Sequence, residues 1–277
     1  MKKIKSFILN FYYLIENYLF FKKFESLLKP LNINFIEELK VKHEEAFLKL
    51  KNCFNNKNFQ DFEADQNFFY DLTWQTQTVK KDGILNFNHG FLLQYYLSDY
   101  LRKNYQQGDQ INILEIGTAR GYSSICMSKI LNDHKINGKI FTIDILPLNK
   151  KIFWNSPSDI DGKKTRLELL QKWSDLVAKY LVFIKGYSVV ALDKFHMTRI
   201  NFAFIDGSHD FEDVKNEIAY IQGKQEKNDI IFFDDYNKKD FPGVVKAIEE
   251  IKNNNTYRIN IIDLNQERKY VLAIKNE

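Results

Sequence analysis

The chain reads as an α/β protein. The expected core is a mostly parallel seven-stranded sheet, closed by a C-terminal antiparallel hairpin and preceded by a helical N-terminal region. Three observations predict this. From Ile111 onward, short apolar runs alternate with helix-periodic segments, the pattern of a parallel sheet with helices on both faces. Near the end, "TYRINIIDL" and "KYVLAIKN" flank the polar turn "NQER" and read as a hairpin. Residues 1–75 show neither strand alternation nor a glycine-rich loop. The division that follows is a helical extension over residues 1–80 and an α/β domain over 81–277.

The elements follow in order. Helices over residues 1–75 break at Pro30 and at the Asn-rich patches near 32–34 and 52–58. "GFLLQYYLSDYL", Gly90–Leu101, is a strong helix pattern leading into the domain. "INILEIG" is the first strand, and "GYSSICMSKIL" is the helix after it. "GKIFTIDI" is the second strand, and residues about 163–180 read as helical. "YLVFIKG" and "INFAFIDG" are the third and fourth strands. The helix "FEDVKNEIAYIQ" leads to the fifth, "DIIFFDDY". The last helix starts near Pro242, a residue favoured in the first helical turn.

Composition narrows the function. The 277 residues are 44% hydrophobic and carry a net charge of +4, ordinary for a globular chain. Residues 1–60 hold eleven Lys and six Glu with no Arg or Asp, so the remainder is close to neutral. A near-neutral domain lacks the basic stripe of a nucleic-acid binder. Two cysteines, Cys53 and Cys126, exclude a disulfide framework, and no zinc-ligand spacing exists. A reducing, cytoplasmic setting is the expectation. "MKKIKSFILNFYYLIENYLFFKK" begins like a signal peptide but has no small-residue cleavage site. Its uncharged run stops at Glu16, short of the roughly 20 residues a membrane span needs. Phe7, Phe11, Leu14, Tyr18 and Phe21 repeat at helical spacing. They suit a helix packed on the body or on a second subunit, or one lying on a membrane surface.

The ends of the strands carry the chemistry. In an open α/β sheet, ligands lie beyond the carboxyl ends of the strands. "LEIGTARGYSS" puts Glu115, Gly117 and Gly121 there, with G-x-x-x-G spacing instead of the dinucleotide pattern and no Walker lysine. Asp144 ends the second strand, where a carboxylate can accept from both hydroxyls of a ribose. Asp206, Gly207, Ser208 and His209 end the fourth strand, and Asp234 and Asp235 end the fifth. Two carboxylates about 4 Å apart repel by about 4 kcal/mol at an effective dielectric near 20. Three converging carboxylates therefore call for a cation, either a hard divalent ion such as Mg²⁺ or a positive group on the ligand. A metal there could bind a hydroxylated substrate and lower a hydroxyl pKa.

Together "LEIGTARGYSS", "FTIDI", "FAFIDGSHDFEDV" and "IIFFDDY…FPGVVKAI" resemble a class I S-adenosylmethionine (SAM)-dependent methyltransferase. The similarity is to the O-methyltransferase-like branch with IDGxHxYE and DDY motifs, and it spans about residue 85 to the end. The resemblance implies a Rossmann-like methyltransferase fold. It implies that Glu115, Gly117, Thr118, Gly121, Tyr122, Ser123 and Asp206 surround the cofactor, with Asp144 on its ribose. It makes Tyr187 and Ser188 adenine-pocket candidates. Ala119 stands where many members carry another Gly. In cation-dependent relatives the metal ligands fall at Asp206, Asp234 and Asp235, with a lysine base three residues after the first. Here that place is His209, and an imidazole is a reasonable general base for a hydroxyl. Asp206 and His209 are thus the catalytic candidates.

The insertion "PLNKKIFWNSPSDIDGKKTRLELLQKW" is longer than a crossover needs and could form a lid whose basic residues meet an anionic group. The overall expectation is metal-assisted O-methylation of a small hydroxylated acceptor, such as a sugar, glycan precursor or secondary metabolite. No nucleic-acid partner is expected, and the N-terminal helices could support a homo-oligomer. The alternatives are a cephalosporin-hydroxylase-like enzyme on the same fold and a non-catalytic SAM-binding or assembly protein.

Overall fold

The computed structural model describes residues 11, 12, 14, 15, 18, 19, 33–81, 83–264 and 268–277. Three long helices come first: α1 (Ile33–Phe54), α2 (Gln66–Thr76) and α3 (Asn88–Asn104). The domain proper then runs β1 (Ile111–Ile116), α4 (Tyr122–Asp133), β2 (Gly138–Asp144), α5 (Arg166–Leu169), α6 (Ser174–Tyr180) and β3 (Leu181–Lys185). It continues α7 (Ser188–Lys194), β4 (Phe202–Ile205), α8 (Phe211–Gln222), β5 (Ile230–Phe233) and α9 (Pro242–Asn253). It ends in β6 (Tyr257–Asp263) and β7 (Lys269–Lys275).

The seven strands lie in the order β3-β2-β1-β4-β5-β7-β6. β1 to β5 are parallel, and β7 runs antiparallel between β5 and β6. This is the Rossmann-like methyltransferase architecture. Strand order reverses between β1 and β4, so the ligand crevice opens there. Ile116 pairs with Ile205, Ile205 with Phe233 and Phe233 with Val271. That register sets Asp206 and Asp234 side by side, just beyond paired strand ends.

The central strands are apolar because both faces are covered. Ile113, Phe202, Phe204 and Phe232 face α3, α4 and the N-terminal helices, meeting Phe91, Ile125, Phe47 and Leu50. Leu114, Ala203, Ile231 and Phe233 face α8 and α9, meeting Val214, Ile218, Val244 and Ile248. The N-terminal helices thus share one core with the sheet.

Two expectations shift. The helical stretch over about 163–180 is divided into α5, a 3-10 turn over Gln171–Trp173 and α6. The break at Leu170 lets Leu170 and Trp173 both turn inward, and Leu170 packs against Gly121. The segment after β3, for which no element is expected above, contains α7. At the N-terminus, Phe11, Leu14 and Tyr18 are helical and exposed, while Phe7 and Phe21 lie outside the described residues. No described helix is long and apolar enough to cross a membrane.

Leu50, on α1, is fully buried in the shared core. Leu50→Ala should therefore cost about 2–5 kcal/mol in urea unfolding, within one cooperative transition. Two separate transitions would show instead that α1 and the sheet unfold independently.

Candidate active site

A cavity of about 400 Å³ opens at the carboxyl ends of β1, β2 and β4. Of the residues expected to bind the cofactor, Gly117, Asp144, Tyr187, Ser188 and Asp206 line it. Gly117 has φ +101°, and a Cβ there would meet the Asp206 carbonyl oxygen at 2.0 Å. Only glycine lets β1 turn so close to β4. Ala119 lies at φ +44°, in the left-handed region. That conformation accounts for the glycine found there in similar sequences.

Asp144 is held from three sides. Its Oδ2 accepts from the Ala119 N–H at 2.6 Å and its Oδ1 from the Leu146 N–H at 2.6 Å. The Arg166 guanidinium lies 3.7 Å from Oδ1. Burial raises the Asp144 pKa, and Arg166 opposes that rise. Arg166 is itself buried against Trp154 and Phe183, and its Nε donates to the Ala119 carbonyl at 3.0 Å. The insertion therefore braces this cavity. Trp154 is fully buried in a small core with Ile152 and Leu169. Asp159 caps this turn by accepting from the Trp154 and Asn155 N–H groups. Lys164 pairs with Asp161 and Lys151 with Glu168.

Four candidates sit behind the cavity wall. Glu115 is fully buried and accepts hydrogen bonds from Ser123, Ser124 and Thr142. Burial raises its pKa, and these three hydroxyls oppose the rise. Thr118 is bonded to Thr142. Tyr122 is buried and donates to the Phe87 carbonyl at 2.7 Å. Glu115, Ser123 and Thr118 thus fasten the loop and α4 to the strands, and Tyr122 fastens α4 to α3. Gly121 caps α4 in a left-handed conformation. Ser188 donates to Glu217, whose pKa burial pushes up to about 8.

The acids of β4 and β5 converge on Arg268, at the start of β7. Arg268 Nε lies 2.5 Å from Asp234 Oδ1, and Nη2 lies 2.6 Å from Asp234 Oδ2. Nη2 also lies 3.0 Å from Asp235 Oδ1 and 4.0 Å from Asp206 Oδ1. Asp235 adopts φ +58°, tolerable for Asp, so its carboxylate turns away from that of Asp234. Asp235 Oδ2 then meets His209 Nε2 at 2.9 Å. The His209 ring lies against Phe241, with centroids 4.3 Å apart. His89 is buried against Tyr122, its Nδ1 3.8 Å from Asp234. Burial pushes its pKa well down, so His89 is neutral.

Solvent access grades across the group. The Asp234 side chain is 0% exposed, Asp235 11%, Asp206 25% and His209 40%. Burial outweighs the pull of Arg268 and leaves the Asp234 pKa raised to about 6. Asp206 is pushed well above the carboxylate range, by burial first and by Asp234 second. The carboxylates in turn raise the pKa of Arg268.

Residues 114–236 match the family model described as a methyltransferase domain. No curated protein matches the sequence. Among solved structures, the O-methyltransferase NovP is similar at 14% identity and TM-score 0.54, over 74% of this chain and 88% of that one. Cofactor-bound Rv0187 from MTB is similar at 14% identity and TM-score 0.52, over 72% of this chain and 84% of that one. These two likenesses are of fold. The matched residues 114–236 include the cavity-lining Asp144 and Asp206 and the rim acids Asp234 and Asp235.

Removing Arg268 leaves the carboxylates facing one another. Arg268→Met should cost about 3–5 kcal/mol at neutral pH, the range for breaking a buried pair. The folded-state pKa values of Asp206 and Asp234 lie above their unfolded values and would rise further in the variant. Such groups stabilise the fold at low pH and lose that stabilisation as pH rises through the folded pKa. The deficit of Arg268→Met should therefore shrink between about pH 8 and about pH 5, as urea unfolding at each pH would show.

Proposed function

We propose that this protein transfers the methyl group of SAM to a hydroxyl of a small acceptor, assisted by a divalent cation such as Mg²⁺. The observation carrying the O-methylation reading is the His209–Asp235 pair at the rim of the donor cavity. With Nε2 donating to Asp235, the His209 Nδ1 is left to accept the acceptor's hydroxyl proton as methyl transfer proceeds. Asp235 orients the ring and stabilises the imidazolium that forms, and Phe241 limits its rotation. The donor side supplies positioning: Asp144 suits the ribose, and Tyr187 and Ser188 suit the base. Holding donor and hydroxyl in line supplies much of the acceleration in such a transfer.

The donor set supports a cation here. Asp206, His209 and Asp235 can each offer one ligand atom, all within 4.8 Å of one another. Mg²⁺ prefers oxygen, so Asp206 and Asp235 would hold it, leaving His209 for the proton. Arg268 holds both oxygens of Asp234 at 2.5 and 2.6 Å, more tightly than the 3.0 and 2.9 Å contacts of the Asp235 oxygens to Arg268 and His209, so Asp234 is read as the anchor of that arginine. When bound, the ion would polarise the acceptor hydroxyl. Charge counting agrees: three carboxylates against one guanidinium give −3 + 1 = −2 when all are ionised. A second reading is favoured by Arg268 itself. Its guanidinium already supplies a cation between Asp234 and Asp235, and the remaining charge would then be met by a proton on Asp206 and by the sulfonium of SAM.

Labelled SAM, tested against a panel of hydroxylated small molecules, checks these readings. Wild type should bind SAM, and Asp144→Ala should weaken that binding by about tenfold or more, the loss of a charged hydrogen-bond partner. His209→Ala should lower turnover by about 10²–10⁴-fold with SAM affinity unchanged. EDTA should abolish transfer on the metal-assisted reading and leave it intact on the arginine reading. Failure to bind SAM would sink both.

A further inference from the structure

A second cavity, of about 550 Å³, lies on the other side of Arg268. Its walls come from α1, from the segment before α3 and from the β6–β7 hairpin. Its polar lining is Lys49, Asn52, Lys81, Asn86, Asn88 and Arg268. Three are cations and three are amides, and none of the described lining residues is a carboxylate. The charge of Arg268 is already met by Asp234 and Asp235. Lys49 and Lys81 form no ion pair among the described residues, and the described lining offers them no carboxylate. Lys81 keeps solvent access, yet desolvation lowers its pKa, with Arg268 adding to the effect and Asp235 and Asp234, behind Arg268, opposing it. The two cavities share a wall. Arg268 lines this one, Asp206 lines the donor cavity, and they approach to 4.0 Å.

We infer that this second cavity receives the acceptor, and that the acceptor carries a phosphate or carboxylate group held by Lys81 and Lys49. The inference rests on the methyl-transfer reading above and supplies its substrate class. The N-terminal helix α1 contributes Lys49 and Asn52, so it acts as a specificity element. Such a ligand would bring its anionic end to the lysines and its apolar body against Ile84, Leu85 and Leu264. Its hydroxyl would point past Arg268 to the acid rim. The lysines of the insertion are left out because they are paired or face elsewhere, as Lys164 and Lys151 show.

Inorganic phosphate and acetate, each against chloride at matched ionic strength, serve as probes in thermal unfolding of the full chain with S-adenosylhomocysteine present. At near-saturating anion, Tm should rise by about 3 °C. The rise should vanish in the Lys49→Ala/Lys81→Ala double variant and survive in Lys81→Arg. Stabilisation by phosphate alone identifies a phosphorylated acceptor, and by acetate alone a carboxylated one. The inference is overturned if neither anion stabilises beyond chloride, or if the double variant is stabilised equally. SAM binding, measured on the same samples, should be unchanged in the double variant. Its absence in wild type would defeat the methyltransferase reading, whereas its presence without an anion effect would defeat only the acceptor class.

Discussion

The structure of the acid rim depends on one interaction, the seat of Arg268 between Asp234 and Asp235. Without it, three carboxylates would sit at adjacent strand ends with only a neutral His89 and a partly exposed His209 beside them. The interaction is possible because β7 runs antiparallel to β5 and begins where β5 ends. A hairpin whose last strand lay outside β6 would carry Arg268 away from the rim. The insertion of β7 between β5 and β6 is thus both a topological feature of the fold and the means of delivering a cation to the site.

A second charge pair does similar work across the crevice. Arg166 comes from the insertion and approaches Asp144 at the end of β2. Both arginines pair with a buried strand-end carboxylate, and both arrive from segments outside the parallel strands. The rim therefore holds its acids in place with partners from outside the parallel strands. The cost of burying these ions is met by bidentate or backbone-assisted geometry, as for Asp234 with two guanidinium contacts and Asp144 with two backbone donors.

Much of this was legible in the sequence. The strands were readable because sheet faces buried on both sides demand short apolar runs such as "FAFI" and "IIFF". Their carboxylates were readable because a charge directly after such a run must emerge at the sheet edge. Arg268 was not readable as their partner. Thirty-four residues separate it from Asp234, and "NQER" has the composition of any polar turn. Tyr122, Thr118, Ser123 and Glu115 were read as facing the cofactor from motif position alone. Motif position does not reveal side-chain direction, and the structure turns these residues into the wall. The signal that could have separated them is local: a buried carboxylate needs donors, and the hydroxyls of Ser123 and Ser124 stand eight and nine residues on, in the first turn of α4. The break at Leu170 was hidden because helix periodicity over 163–180 is satisfied on either side of it.

Asp206 connects these parts. It ends β4 at the strand-order reversal, lines the donor cavity and lies within reach of Arg268. Its neighbours pull it in opposite directions. Burial and Asp234 favour the neutral acid, while Arg268 favours the carboxylate. Its protonation is therefore the most sensitive quantity in the site to added charge. A sulfonium on the donor side, or a divalent ion at the rim, would favour the ionised form. An anion entering the second cavity would weaken the pull of the cations and favour the neutral form. Occupancy on one side would then be felt on the other through a single carboxyl group. Such coupling would follow from a carboxyl that Arg268, at 4.0 Å, compensates only in part.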